Sequence, residues 1–208
     1  MKNYGNSFNN DSQSFAAGKV PIWLHVDEFY PAGCTLDNQP AGNRIPVGTP
    51  VYAAKMGAEA IVLETFEVVG AVAATDTSVV LKSVSGAVLP AKDLVVGKPG
   101  SGNVIAKAIA LPAVTSVGSD DHEGEYTFTI TANALGVLSD GDILVMASEA
   151  GSNKAAAMPT GLLYEDVLVG NVGATGTIVT KGQVLAKRIA AVPAIYMPSL
   201  SNITFVNE

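Results

Sequence analysis

The chain has 208 residues, of which 48% are hydrophobic and only 15% are charged, against about 25% charged in typical soluble domains. Its formal net charge is −7 and no lysine or arginine cluster is present, which argues against nucleic-acid binding and against adsorption to an anionic membrane. The single cysteine, Cys34, excludes an intrachain disulfide and a cysteine-based metal site. So few charges favour a surface covered by sister subunits or a larger partner, and the alternative is a monomer with a Ser/Thr/Asn surface.

The first 18 residues (MKNYGNSFNNDSQSFAAG) are rich in Asn, Ser and Gly and show neither helical nor strand periodicity. Such a segment buries too little apolar surface to fold alone. Tyr4, Phe8 and Phe15 are spaced widely through it. Two interpretations stay open: a tail with incidental aromatics, or an extended arm that orders on a partner with these aromatics as anchors.

The N-terminal 15 residues lack the basic region and apolar run of a signal peptide. No stretch reaches the roughly 18 uninterrupted apolar residues that a membrane span needs. We therefore expect a soluble protein that is made in the cytoplasm.

Residues 19–40 form a predicted connector with one short strand at 22–26, because three prolines in this segment preclude a long helix. Trp23 and Phe29 contribute large aromatic side chains to the connector. Sugar-binding sites usually place an exposed aromatic beside Asp or Asn, and Trp23 with Asp27 is the candidate pair for such a site.

Residues 41–208 are predicted to form a mainly β body, a small β-barrel or β-sandwich with few short helices. Runs rich in Val, Ile and Leu, bounded by glycine-containing or Asp-Thr turns, predict the strands, and the polar/apolar alternation of 125–131 (EYTFTIT) is the clearest of them. The predicted strands are 44–53 (around a Gly-Thr turn), 60–69, 78–85, 125–131, 142–146 (after a Ser-Asp-Gly turn) and 177–180. Residues 89–94 and 131–137 are predicted to form a helical turn or two each.

One internal similarity bears on domain organisation. Residues 104–114 (VIAKAIALPAV) and 184–195 (VLAKRIAAVPAI) share a V-[IL]-A-K-x-I-A pattern followed by Pro-Ala. We interpret both as apolar strands that end at Pro-Ala. The body is thus either one domain or two related halves, at about 41–118 and 119–208.

The sequence contains few of the residues from which catalytic sites are built. Its two histidines, His25 and His122, are far apart, and neither Gly-x-Ser-x-Gly nor His-Glu-x-x-His occurs. The glycine-rich stretches 97–103 and 170–176 lack the phosphate-loop and dinucleotide patterns, so we interpret them as turns. The acidic cluster 120–125 is interpreted as a solvated hairpin tip rather than a calcium loop. We expect no enzyme, no catalytic residues, no cofactor and no metal.

Residues 41–208 contain a recognisable order of motifs. The segment 45–51 (IPVGTPV) is followed downstream by 141–146 (GDILVM), 151–154 (GSNK), 159–167 (PTGLLYEDV), 173–178 (GATGTI) and 181–186 (KGQVLA). This order resembles phage head decoration proteins, which have an "[IV]-P-x-G-T-P-[VL]" opening and a "G-[IL]-L-x-x-D-V" strand before a "T-G-x-[IV]…G-x-V" hairpin. The ending, 189–195 (IAAVPAI) through 203–206 (ITFV), is similar to phage head-fibre proteins, particularly those of phages of Bacteroidetes. Residues 1–40 match this pattern less well.

The resemblance implies a virion structural protein on the capsid exterior, assembled in the host cytoplasm, that stabilises the shell as a decoration, cement or head-fibre subunit. It implies homotrimers that bind the major capsid protein, without cofactor or catalysis. The predicted partner-binding residues are Tyr4, Phe8, Phe15 and Trp23. Two rivals stay open: a host-adhesion or glycan-binding module that uses Trp23 beside Asp27, and a tail or neck component with the same β architecture.

Overall fold

The structure is a computed structural model that describes residues 21–31, 33–36, 39–84, 89–91, 93–100, 104–118, 124–132, 134–171 and 173–207. The mainly β body predicted from the sequence is confirmed: the strands form curled sheets that each make a half-barrel. Tyr4, Phe8 and Phe15, and with them the predicted arm 1–18, lie outside the described residues.

The first half-barrel is built from both ends of the described chain and contains an eight-stranded sheet. Its strands are β1 Trp23–Phe29, β2 Cys34–Leu36, β4 Pro50–Ala53, β5 Glu59–Val62, β13 Gly161–Leu163, β15 Ala174–Gly176, β16 Ile178–Leu185 and β17 Ile203–Val206. They lie in the order β1-β16-β13-β4-β5-β2-β15, and β17 pairs with β16 in parallel. A two-stranded ribbon of β3 (Arg44–Ile45) and β14 (Val167–Leu168) accompanies this sheet.

The second half-barrel is formed by the middle of the chain and contains a seven-stranded sheet in the order β10-β11-β7-β6-β12-β8-β9. The bounds are β6 Thr65–Val68, β7 Ser78–Ser83, β8 Val95–Pro99, β9 Ile105–Ala110, β10 Val114–Val117, β11 Glu125–Thr129 and β12 Ile143–Met146. This sheet is therefore an insertion between the strands of the first one. The chain passes from the first sheet to the second at residue 64 and returns between residues 147 and 160. The division of the body into two related halves near residue 118 stays a prediction.

Three apolar clusters hold the body together. One lies within the second half-barrel around Phe66, Leu81 and Phe128, and another lies within the first around Leu36, Ile45 and Ile178. The third, which we call the junction core, combines residues of both sheets with the 3₁₀-helix Ala194–Leu200. Its fully buried members include Val145 of the second sheet, Leu162 of the first sheet and Tyr196 of this helix. The junction core makes the two half-barrels one packed unit.

Two glycines allow close approach between strands of the first sheet. A Cβ atom at Gly161 would overlap the backbone of Val179 on β16, and one at Gly182 would contact the His25 carbonyl on β1. Glycine inside a strand is typical of such close backbone contacts. Any side chain at either position would push its neighbouring strand away.

The predicted Ser-Asp-Gly turn before β12 is confirmed and is stabilised by Asp142. Its Oδ2 accepts hydrogen bonds from the Ser139 N–H at 2.8 Å and from Lys98 Nζ at 2.6 Å. Both contacts favour the ionised carboxylate, and they lower the pKa of Asp142, the Lys98 hydrogen bond having the larger effect. Gly141 adopts φ +79°, a value that favours glycine.

Three local predictions were wrong. The described residues of 89–94 and 131–137 form turns, bends and irregular backbone instead of helix, and Leu94 and Leu135 are buried in the core of the second half-barrel. The run 60–69 is two strands instead of one, since β5 and β6 belong to different sheets. In the repeated pattern, 105–110 is a strand, but 186–188 is a 3₁₀-helix that follows the end of β16.

Candidate functional site: the junction of the two half-barrels

The chain passes from the first sheet to the second through two buried residues, Leu63 and Glu64. The Leu63 N–H donates to the Pro50 carbonyl of the first sheet at 3.0 Å. The Glu64 N–H lies 3.2 Å from the Met146 sulfur at the end of β12 in the second sheet. Backbone contacts to both sheets thus fix a carboxyl side chain at the point where the half-barrels meet.

The Glu64 carboxyl group is only 5% exposed and is satisfied by neutral donors. Its Oε1 accepts a hydrogen bond from Gln39 Nε2 at 2.8 Å and another from the Ala91 N–H at 3.2 Å. Its Oε2 lies 3.4 Å from the same Ala91 N–H. The donors come from two separate segments, one between β2 and β3 and one between β7 and β8, so the carboxyl group connects them.

Three further hydrogen bonds, all made by the Asn43 side chain, extend this network. Asn43 Nδ2 donates to Gln39 Oε1 at 3.1 Å and to the Leu89 carbonyl at 2.8 Å. In return, the Leu89 N–H donates to Asn43 Oδ1 at 3.0 Å. Gln39, Asn43 and Glu64 are buried, and buried polar groups that are satisfied in this way specify a single arrangement of the surrounding backbone.

Burial raises the pKa of the Glu64 carboxyl group to about 7. The desolvation of the charged form is the largest effect, and the hydrogen bonds from Gln39 and Ala91 oppose it only in part. Glu64 therefore gains or loses its proton near neutral pH, whereas an ordinary glutamate is ionised there.

A cleft of about 610 Å³ opens beside this network. Gln39 and Ala91, which both bond Glu64, form part of its wall. The other lining residues are Pro40, Asp93, Leu94, Val95, Met146, Ala147, Ser148 and Ala156. The cleft is mainly apolar, with three polar side chains, those of Gln39, Asp93 and Ser148.

Of the predicted partner-binding residues, the structure describes Trp23, which packs against the junction core. Trp23 is half-buried on β1, where its Nε1–H donates to the Tyr164 carbonyl at 2.9 Å and its ring stacks on that of Tyr164. Asp27 lies further along the same strand, 3.0 Å from His25 Nε2. Whether Trp23 binds a partner stays a prediction.

Sequence reasoning missed Glu64, Gln39 and Asn43. The one available signal was the position of Glu64 within the apolar run 60–69. A charged residue in such a run is seldom buried without hydrogen-bonding or charged partners. Gln39 and Asn43 lie in a polar, proline- and glycine-containing segment that is typical of a surface loop, so nothing in their pattern indicated burial.

Comparison with protein-family models, curated proteins and solved structures found no match for the chain. Across the described ranges, no group of three or more His, Cys, Asp or Glu side chains could hold a metal ion. No helix in those ranges is long and apolar enough to span a membrane.

Proposed function

We propose that this protein is a structural subunit on the outer surface of a phage capsid, a decoration, cement or head-fibre protein that binds the major capsid protein and its own copies. The observation that carries the proposal is the place where the N-terminal segment joins the body. Residues 1–20 precede β1 in the sequence, and β1 stands at one end of the first sheet. A segment that leaves from the edge of a sheet can reach a neighbouring subunit without disturbing the core.

The base of this segment is firmly attached to the body. The Trp23 indole is held by Tyr164, and Arg188 Nη1 donates to the Pro21 carbonyl at 2.6 Å. Tension on residues 1–20 would therefore be transmitted to a packed sheet. Such an attachment suits a protein that stabilises a shell by linking its subunits.

The homotrimer that we propose would gain affinity for the shell through effective concentration. Each arm contact can be weak, because linking three arms makes the second and third binding events intramolecular. A protein that binds only the assembled shell shifts the equilibrium toward assembly. We propose that this subunit joins the shell in the host cytoplasm.

A glycan-binding or adhesion role is less well supported by the geometry. Sugar-binding aromatics present an open ring face beside polar groups, whereas Trp23 stacks one face on Tyr164 and uses its N–H within the chain. A glycan-binding screen separates the two functions: selective, saturable binding that Trp23→Ala abolishes would favour adhesion.

Deletion of residues 1–18 is expected to abolish binding to undecorated expanded heads while leaving a folded oligomer, because the arm supplies the capsid contacts and the body is packed without it. Co-sedimentation followed by electron microscopy measures binding, and light scattering measures the oligomer. The triple variant Tyr4→Ala, Phe8→Ala, Phe15→Ala should behave like the deletion, and Asn9→Ala should bind as wild type. Unchanged capsid occupancy after the deletion would refute the role of the arm.

A further inference from the structure

Strand β10 forms one end of the second sheet, and among the described strands it pairs with β11 alone. Three of its four residues, Thr115, Ser116 and Val117, are exposed. The three strands at the other end of this sheet, β12, β8 and β9, contribute to the junction core, whereas no described residue of β10 or β11 belongs to it. The junction with the first half-barrel therefore leaves β10 exposed.

One apolar side chain of β10 occupies a core-facing position without being buried. Val117 is paired with Tyr126 and Val114 with Phe128, and paired residues of antiparallel strands project their side chains to the same face. Tyr126 and Phe128 are buried in the core of the second half-barrel, and Val114 packs against this core. Val117, however, is 60% exposed. A further strand beside β10 would cover it.

The opposite edge of the second sheet is already occupied by another segment of the chain. On β9, the Ile105 N–H donates to the Asn153 carbonyl at 2.9 Å, and the Ala108 carbonyl accepts from the Gly151 N–H at 2.8 Å. The segment 151–153 thus takes up backbone groups of β9 that β8 does not bond, and this edge is not open to another chain.

An edge strand of the first sheet is protected in a different way. Strand β1 (WLHVDEF) contains one histidine and two acidic residues, and its pairing with β16 is interrupted by three register shifts. Charges and bulges on an edge strand discourage pairing with other chains. Strand β10 has one register shift and no charged residue, so it is less protected than β1.

We propose that β10 pairs antiparallel with β10 of a second copy of this chain, so that the second sheets of two copies form one continuous sheet across a two-fold axis. Residues 111–118 (LPAVTSVG) contain no charge, so pairing these strands does not place like charges opposite each other. The acidic segment 120–125 follows β10 in the sequence. Antiparallel pairing therefore brings the ends from which the two acidic segments continue to opposite ends of the contact.

A second copy suits this edge because a two-fold contact uses the same residues on both sides. The exposed Val117 side chains of both copies would be covered by one contact. A pair of four-residue strands is smaller than the roughly 1,000 Å² of a stable interface, so we expect reversible association. The contact does not depend on capsid binding, and in the homotrimer proposed above each copy would offer one such edge.

Cysteine substitution tests the contact in the purified full-length protein. Cys34, the single cysteine of the wild type, is only 1% exposed, and residues 114–117 are each replaced by cysteine in turn. At least one variant should form a disulfide-linked dimer on oxidation, because residues opposite each other in antiparallel strands have Cα atoms about 4.5–5.5 Å apart, as disulfides require. Ser78→Cys, exposed on β7 of the same sheet, is the control and should be linked more slowly.

Ser116→Lys tests the association without a cross-link. Ser116 is exposed, so the substitution leaves the core unchanged, and it adds a charge to the edge of each copy. Sedimentation equilibrium should show the dissociation constant of the paired state rising about tenfold or more, since the charge occurs twice in the contact. Ser78→Lys adds the same charge away from the edge and should associate as wild type.

The proposal is overturned if wild type shows no concentration-dependent doubling of its mass, or if Ser116→Lys associates as tightly as Ser78→Lys. It is also overturned if none of the four cysteine variants is linked faster than Ser78→Cys. Association that persists in Ser116→Lys but is lost on deletion of residues 1–18 would show that the N-terminal segment joins the copies instead. None of these measurements uses capsids, so they stand apart from the test of shell binding.

Discussion

Replacement of Tyr196 by alanine is expected to lower the free energy of unfolding by about 3–5 kcal/mol, the usual cost of removing a buried aromatic side chain. Tyr196 is fully buried in the junction core, where it packs between the two half-barrels. The cavity would lie among groups from both sheets, which limits how far the site can collapse. Denaturant unfolding at constant pH measures the loss.

Tyr196→Phe provides the matched comparison. In the part of the chain that the structure describes, the Tyr196 hydroxyl has no hydrogen-bond partner although it is buried, and burial raises the pKa of the phenol. An unsatisfied buried polar group costs about 1–3 kcal/mol, so the phenylalanine variant should equal or exceed wild type in stability. A loss of stability in Tyr196→Phe close to that of Tyr196→Ala would contradict the packing described here.

Glu64→Gln is expected to make the protein more stable than wild type above neutral pH. The folded-state pKa of Glu64 is raised from 4.5 to about 7. The stability that its proton contributes is therefore fully present below about pH 4.5 and is lost as the pH rises through about 7. Wild type should lose about 2–3 kcal/mol between about pH 5 and about pH 8 through this group, and the variant should not.

Urea titrations of both proteins at several pH values measure this difference, with Glu67→Gln as the control for removal of an exposed charge. A difference between Glu64→Gln and wild type that does not change with pH would show that the buried carboxyl group is not the titrating one.

The strands were largely predictable because their patterns are local. Residues 125–131 alternate polar and apolar side chains, and the structure buries Tyr126 and Phe128 while exposing Thr129 on β11. The turn at 46–49 and the turn before β12 also follow from residue types that favour them. In these segments local preference and final burial agree, so the sequence alone was sufficient to predict a mainly β body.

The junction was not predictable because it depends on distant contacts. Glu64 lies in an apolar run, and its burial becomes reasonable only when Gln39 and Ala91 are brought to it from 25 and 27 positions away. In the segment 89–94, too, the N–H groups of Leu89 and Ala91 bond the distant side chains of Asn43 and Glu64. Periodicity also could not show that β5 and β6 belong to different sheets.

The insertion of the second half-barrel into the first has a consequence for synthesis on the ribosome. Strands β6–β12 are contiguous in sequence, so they can pair soon after they emerge, whereas β1 must wait for β16. Trp23 meets Tyr164 across 141 positions, and pairing over such distances slows folding because a long loop must be closed first. We expect refolding in two steps, with Trp23 fluorescence reporting the slower one. In a nascent chain that ends before β13, strands β6–β12 could already be paired, whereas β1 would still lack its partner strand β16.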